Sequence, residues 1–216
     1  MADLTVFRNH LVEAPNFLDP EGLHHEFVSG MHGRKMDFDS IPTESDLFEE
    51  WADVAADAIR QQYAGEALGT MVLLSVANGT NRLVGPVARR LRESATPMRM
   101  VPLETRKISA KAVELDDDAV KAFQELHPDF VLVIEDVGTM GTTSASAAVA
   151  ARQAGARRVE AMNTWQRRPI LEKLVEVDVR YTSIIHEDLP TLTPEACRTE
   201  PEGYCAQGWA LIEHAK

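Results

Sequence analysis

Val131-Leu132-Val133-Ile134-Glu135-Asp136-Val137-Gly138-Thr139-Met140-Gly141-Thr142-Thr143-Ser144 decides how this 216-residue chain is read. An apolar run leads into two adjacent carboxylates, then into a Gly/Thr-rich run and an Ala-rich segment. An unbroken apolar run reads as a strand covered on both faces, the pattern of a parallel sheet. Such strands present ligand-binding residues at their carboxyl ends. The Gly/Thr run offers backbone N–H groups and hydroxyls at the start of the next helix, where the helix dipole favours a phosphate. The two carboxylates stand where the hydroxyls of a sugar can donate to them. Together these are the parts of a sugar-phosphate site. Two commoner phosphate motifs are excluded. No Lys follows Gly141, as G-x-x-x-x-G-K-[ST] requires, and the run is not G-x-G-x-x-G.

Alternating elements extend outward from this stretch. Upstream, 119–126 predicts a short helix stopped by His127-Pro128. Residues 98–103 predict a strand, and 84–92 a helix with Pro86 in its first turn. Residues 70–76 predict a second buried strand, followed by the polar turn Ala77-Asn78-Gly79-Thr80-Asn81. Leu47, Trp51, Val54, Ala55, Ala58 and Ile59 recur at helical spacing, so 43–63 predicts an amphipathic helix starting at Thr43. Residues 1–40 read as irregular, and the charged segment 104–118 is ambiguous. Downstream, 143–154 predicts a helix capped by Gly155; 158–165 is a strand, and 174–185 contains another. Strand–helix alternation of this kind predicts an α/β fold, an open and mostly parallel twisted sheet flanked by helices. One domain over 1–216 is expected, with an N-terminal arm (1–42), a core (43–185) and a C-terminal tail (186–216).

Composition narrows the partners. The net charge of −12 argues against nucleic acid, which wants a basic face. No apolar run is long enough to span a membrane, and Met1-Ala2-Asp3-Leu4-Thr5 lacks the basic and apolar parts of a secretory leader. Two cysteines are too few for a disulfide scaffold. The simplest location is cytoplasmic, with no membrane and no nucleic-acid partner.

The order of apolar strand, two acids and Thr/Gly loop resembles the phosphoribosyl-pyrophosphate (PRPP) signature of the type I phosphoribosyltransferases. That resemblance implies that Glu135 and Asp136 grip the ribose hydroxyls of PRPP. Val137, Gly138, Thr139, Met140, Gly141, Thr142 and Thr143 would cradle the 5′-phosphate. Asn78, Gly79 and Thr80 occupy the place of the family's pyrophosphate loop. Mg²⁺ is the implied cofactor, held mainly through PRPP with Asp136 as a further ligand.

Three other segments point to the orotate-type branch. Residues 26–39 resemble the F-x-x-x-S-G-x-x-S-x-x-Y hood segment, with Ser29 and Gly30 near the base. They depart from it at Val28, where a Lys is usual, and at Gly33, where a Ser is usual. Residues 155–168 resemble the stretch ending in a base-facing Arg; Arg167 is the match, with Arg168 beside it. A guanidinium fork suits a carboxylate or an imide edge. Asp188-Leu189-Pro190, then Pro194-Glu195-Ala196-Cys197 and Cys205, resembles the tail of some of these enzymes. The hood is thus expected from the N-terminal arm, with the tail as a second contributor. A zinc site on the two thiols would need two further soft or imidazole ligands, such as the scattered His186 and His214; a structural or incidental thiol pair is the expectation.

The catalytic loop breaks the pattern. Orotate enzymes carry Arg, Lys, Lys and His running into a Gly-rich stretch, and close this loop over the partner subunit of a dimer. Residues 104–115 supply Arg106, Lys107 and Lys111, with no matching His and no Gly-rich run. The resemblance therefore implies a homodimer that transfers phosphoribosyl from PRPP to orotate. A purine or another nitrogenous base as acceptor stays open, as does a PRPP-binding regulator without turnover.

Overall fold

Both neighbours of the deciding strand explain its apolar run. The structure is a computed structural model that describes residues 3–27, 30–66, 69–76, 79–93, 99–109, 112–115 and 117–213. In chain order the elements are α1 (Leu4–Glu13), β1 (Leu23–Glu26), β2 (His32–Gly33), α2 (Asp46–Gln62), β3 (Thr70–Ser75), α3 (Asn81–Glu93), β4 (Arg99–Ser109), β5 (Ala112–Leu115), α4 (Asp117–Leu126), β6 (Phe130–Gly138), α5 (Thr142–Gln153), β7 (Arg158–Gln166), α6 (Glu172–Glu176), β8 (Arg180–His186), β9 (Thr191–Leu192), α7 (Pro194–Thr199) and β10 (Ala210–Ile212). Strand β6 pairs in parallel with β3 on one side and β7 on the other. Its side chains alternate between two apolar cores. Phe130, Leu132 and Ile134 pack with α1, α2 and α3, while Val131 and Val133 pack with α4, α5 and α6. Each such side chain contributes roughly 1.5–3 kcal/mol when fully buried. The expected α/β architecture is present.

Among the described residues the core sheet has the order β5-β4-β3-β6-β7-β8. Only the β4–β5 pairing is antiparallel within it. The chain goes from β3 to β4 on one side and returns to β6 on the other. That reversal opens a crevice at the carboxyl ends of β3 and β6.

Several boundaries differ from the sequence expectation. The arm is not irregular: it begins with α1, capped by Asp3, whose carboxylate accepts from the N–H groups of Thr5 and Val6. Only Phe7 and Leu11 of that helix are buried, so its periodic signal is thin. Helix α2 starts at Asp46 rather than Thr43, because Ser45 Oγ accepts from Phe48 N at 3.2 Å while Thr43 bonds Glu44 instead. Helix α3 starts at Asn81, which leaves Pro86 inside the helix and not in its first turn. Its early start follows from Thr80, whose carbonyl accepts from Leu83 and Val84. The ambiguous 104–118 becomes the end of β4, strand β5 and the start of α4.

A second sheet, ordered β10-β1-β2-β9, joins the arm to the tail. Leu23 to His25 pair with Ala210 to Ile212, and His32 and Gly33 pair with Leu192 and Thr191. The C-terminal tail is thus a full partner in the hood.

Candidate functional site

Strand alternation sends the two carboxylates in opposite directions. Successive side chains of a strand point to opposite faces. Glu135 follows Val131 and Val133 toward α5, where its carboxylate accepts a short hydrogen bond from Ser144 Oγ. Asp136 follows Phe130, Leu132 and Ile134 toward the turn between β3 and α3. A Cβ on Gly79 would overlap Asp136 Oδ2, so this turn can sit against the carboxylate only because residue 79 is glycine. Asp136 Oδ1 also accepts from Val137 N at 2.6 Å.

Both acids are half-buried at the mouth of the crevice. Desolvation by surrounding protein pushes the Glu135 carboxyl up to about 7; the hydroxyls of Ser144 and Thr143 and the charge of Lys107 oppose the rise, and Asp136 adds to it. Desolvation likewise pushes Asp136 up to about 6. There the N–H of Val137 opposes, and the negative charges of Asp39 and Asp37 reinforce. These carboxylates gain most from a partner that brings positive charge or donors, such as a metal-bound sugar diphosphate. Their hard oxygen donors fit Mg²⁺.

One wall of the crevice is built by α5. Gly141 is its N-cap at φ 73°, with no side-chain capping hydrogen bond. The amides of the first turn, around Thr142 and Thr143, are left for an incoming anion. Leu171 and Leu174 crowd the Gly141 α-carbon, and Lys173 N donates to Met140 O at 3.0 Å. This buttress from α6 sets the path of the loop. Arg168 approaches Met140 Sδ at 2.6 Å and pairs with Glu172 at 3.1 Å.

A second wall is built by Arg167 and the hood. Arg167 leaves the end of β7 and is 3% exposed. Its guanidinium lies 5.0 Å from the Phe27 ring centroid, and its buried Nε and Nη2 have no hydrogen-bond partner among the described residues. Burial lowers its pKa to about 10, against the opposing charges of Tyr204 and Asp19. Two unsatisfied donors on a buried cation are costly unless a ligand takes them. At Gly33 a Cβ would stand 2.7 Å from Phe27 and 3.0 Å from Arg167 Nη2. The glycine that departs from the expected Ser is therefore what lets β2 approach the guanidinium.

No protein-family model matches the chain, and no curated protein matches it in sequence. Solved structures do. The orotate phosphoribosyltransferase of Aeropyrum pernix aligns at TM-score 0.56 and 20% identity, over 85% of this chain and 92% of that one. The UMP synthase of Leishmania donovani aligns at TM-score 0.61 and 14% identity, over 86% of this chain and 36% of that one. The adenine phosphoribosyltransferase of Saccharomyces cerevisiae, complexed with adenine, aligns at TM-score 0.54 and 16% identity, over 83% and 99%. The fold is that of the type I phosphoribosyltransferases.

Within the type I fold, the sequence-predicted residues divide into groups. Glu135 to Thr143 and Gly79 surround the crevice together. Thr80 is buried, and its hydroxyl bonds Val76 and Ile134, so it fastens the turn to β6. Arg106 and Lys107 lie on β4, in a hairpin with β5. Arg106 pairs across the hairpin with Glu114, while the Lys107 charge reaches Glu135. Ser146 on α5 clamps the hairpin by bonding both Val113 N and Val113 O, at 3.1 and 3.2 Å. Gly30 ends the turn after β1, with its N–H on Phe27 O at 2.7 Å. Ser29, Asn78 and Lys111 lie outside the described residues.

Sequence reasoning passed over Ser144, Asp37, Asp39 and Phe27. Ser144 carried a readable signal, since it closes the deciding stretch one turn into α5. The other three come from the arm and meet the site only through the fold.

Proposed function

We propose that this protein is a phosphoribosyltransferase that moves the phosphoribosyl group of PRPP to orotate, releasing pyrophosphate and giving orotidine 5′-phosphate. The observation that carries the acceptor is Arg167, buried with two free donors beneath Phe27 beside the crevice. A planar base bearing a carboxylate and imide oxygens satisfies such a fork and stacks within an aromatic wall. The donor rests on the acids at the switch point and on the uncapped α5 N-terminus.

In the reaction a ring nitrogen of the base, its proton lost to solvent, bonds C1 of the ribose as the bond from C1 to pyrophosphate oxygen breaks. The electron pair of that bond leaves with pyrophosphate. Positive charge grows on the sugar ring and negative charge on the leaving group. Glu135 and Asp136 bind the ribose hydroxyls and place negative charge beside the ring. Lys107, whose charge already acts on Glu135, offsets charge on the departing oxygens. The first turn of α5 anchors the 5′-phosphate, so the sugar is held for in-line attack. Mg²⁺, held through the diphosphate with Asp136 as the protein oxygen donor, supplies charge neutralisation when bound. Arg167 orients the base. A cytoplasmic homodimer belongs to the same reading. Among the described residues no helix is long and apolar enough to cross a membrane.

The test is pyrophosphate release by purified protein with PRPP, Mg²⁺ and a panel of bases. Release with orotate supports the proposal. Release only with a purine or another base replaces the acceptor and keeps the chemistry. PRPP binding without release for any base would sink the enzymatic reading and leave a PRPP-binding regulator.

A further inference from the structure

The hood carries a cluster that the transfer reaction does not use. His24 on β1, His32 on β2, Cys197 on α7 and Cys205 in the turn beyond it converge, and one ligand atom from each lies within 4.8 Å of the others. His24, His32 and Cys197 are buried, and Cys205 is half-buried. His24 Nε2 stands 3.3 Å from Cys205 Sγ and 3.9 Å from Cys197 Sγ. His32 Nδ1 stands 3.4 Å from Cys205 Sγ. Ideal zinc bonds to two sulfurs and two imidazole nitrogens place tetrahedral ligand atoms about 3.3–3.8 Å apart. The observed edges fall close to that range.

Other features prepare the cluster for a metal. Cys205 N donates to Cys197 Sγ at 3.2 Å, a contact that stabilises a thiolate. A Cβ on Gly203 would overlap the Cys197 carbonyl, so the chain can fold back tightly enough to deliver Cys205 only with glycine there. None of the four residues belongs to either apolar core. The hood sheet has strands of two to four residues, too short for stability on their own. A small unit without a core of its own is where a metal staple contributes most.

We propose that His24, His32, Cys197 and Cys205 hold a structural zinc ion that ties the N-terminal arm to the C-terminal tail. Two thiolates and two imidazoles select zinc over hard cations. The closed set of four protein ligands and its burial mark it as structural, with no open position for substrate. The sequence had offered His186 and His214 as the imidazoles. His186 lies on β8 and His214 lies outside the described residues, whereas the hood supplies His24 and His32. Because His32 adjoins Gly33, which packs on Arg167, the metal also stiffens the base-side wall.

The test is the metal content of the full chain purified under reducing conditions, with Cys205→Ser and His32→Gln beside it. About one zinc per wild-type chain, falling at least tenfold in both variants, is expected. Metal-stripped wild type titrated with Co²⁺ should show the intense visible bands of a tetrahedral cobalt site and thiolate charge transfer in the near ultraviolet. That measurement decides the matter even where a variant fails to fold. Absence of zinc together with absence of cobalt bands would overturn the proposal. So would zinc content unchanged in Cys205→Ser. These readouts are independent of any transfer activity, so they stand or fall apart from the choice of orotate.

Discussion

The two walls of the crevice are assembled in different ways. The donor wall comes from one short run, Glu135 to Ser144, with the β3–α3 turn set against it. It is seated on the central strands, where both faces are covered by apolar cores. The hood wall brings β1 and β2 against β9 and β10, and its strands run only two to four residues. One wall is rigid because it inherits the packing of the sheet. The other depends on a few long-range contacts, Arg167 against Phe27 and the Cys/His cluster among them. The wall proposed to hold PRPP is thus the part a sheet can pre-organise, and the wall proposed to hold the base is the part that can vary with the acceptor.

That contrast can be broken by mutation. The largest effect is expected on the donor wall. Asp136→Asn should lower turnover by about 10²–10³-fold, the range for removing a preorganised electrostatic group, with the thermal midpoint unchanged or raised. Steady-state kinetics with PRPP varied, beside a melting curve, checks this; unaltered kinetics would remove Asp136 from the site.

On the hood wall, Arg167→Ala should raise the KM for the base about 10–100-fold while PRPP affinity holds, since a charge-assisted hydrogen bond contributes roughly 1.5–3 kcal/mol. Equal weakening of both substrates would show that Arg167 supports the sheet and does not read the base. Lys107→Ala, on the hairpin between the walls, should cut kcat by about tenfold and change PRPP binding little. A matched loss in both would reassign Lys107 to ground-state binding.

The smallest effect concerns protons. Glu135 is raised from 4.5 to about 7 and Asp136 from 3.8 to about 6, so between those values the folded chain binds more protons than the unfolded one. Their contribution to stability is therefore full at low pH and is lost as pH rises toward 7. Glu135→Gln should leave stability near pH 4.5 unchanged and raise it by about 1 kcal/mol above pH 7, a figure discounted for solvent at a half-buried group. Denaturant melts of both proteins at the two pH values give the difference. A variant less stable than wild type at high pH would mean the carboxylate is favourably solvated where it sits.

Legibility followed the same line between the walls. The strand β6 and helix α5 were readable because their signals are local: an apolar run, then a Gly, then small residues. Helix α1 was not, because only Phe7 and Leu11 face the core. The segment 104–115 read as ambiguous, since β4 exposes residues 104 and 106–109 and the pairing of the hairpin to α5 through Ser146 has no local mark.

What the sequence determined by itself was the sheet and the run of carboxylates, glycine and helix start at its edge, because strand parity and helix-start composition act between residues a few positions apart. It held both carboxylates and, through strand parity, their opposite directions, but not the groups each one meets. Tertiary structure alone decided that Glu135 meets Ser144 and Asp136 meets Gly79, that Arg167 is buried with unpaired donors, and that His24 and His32 meet Cys197 and Cys205. Those encounters join segments separated by more than a hundred residues in the last case. Only the pairing of arm with tail in the hood sheet brings those four residues together, so no periodicity along the chain could announce them.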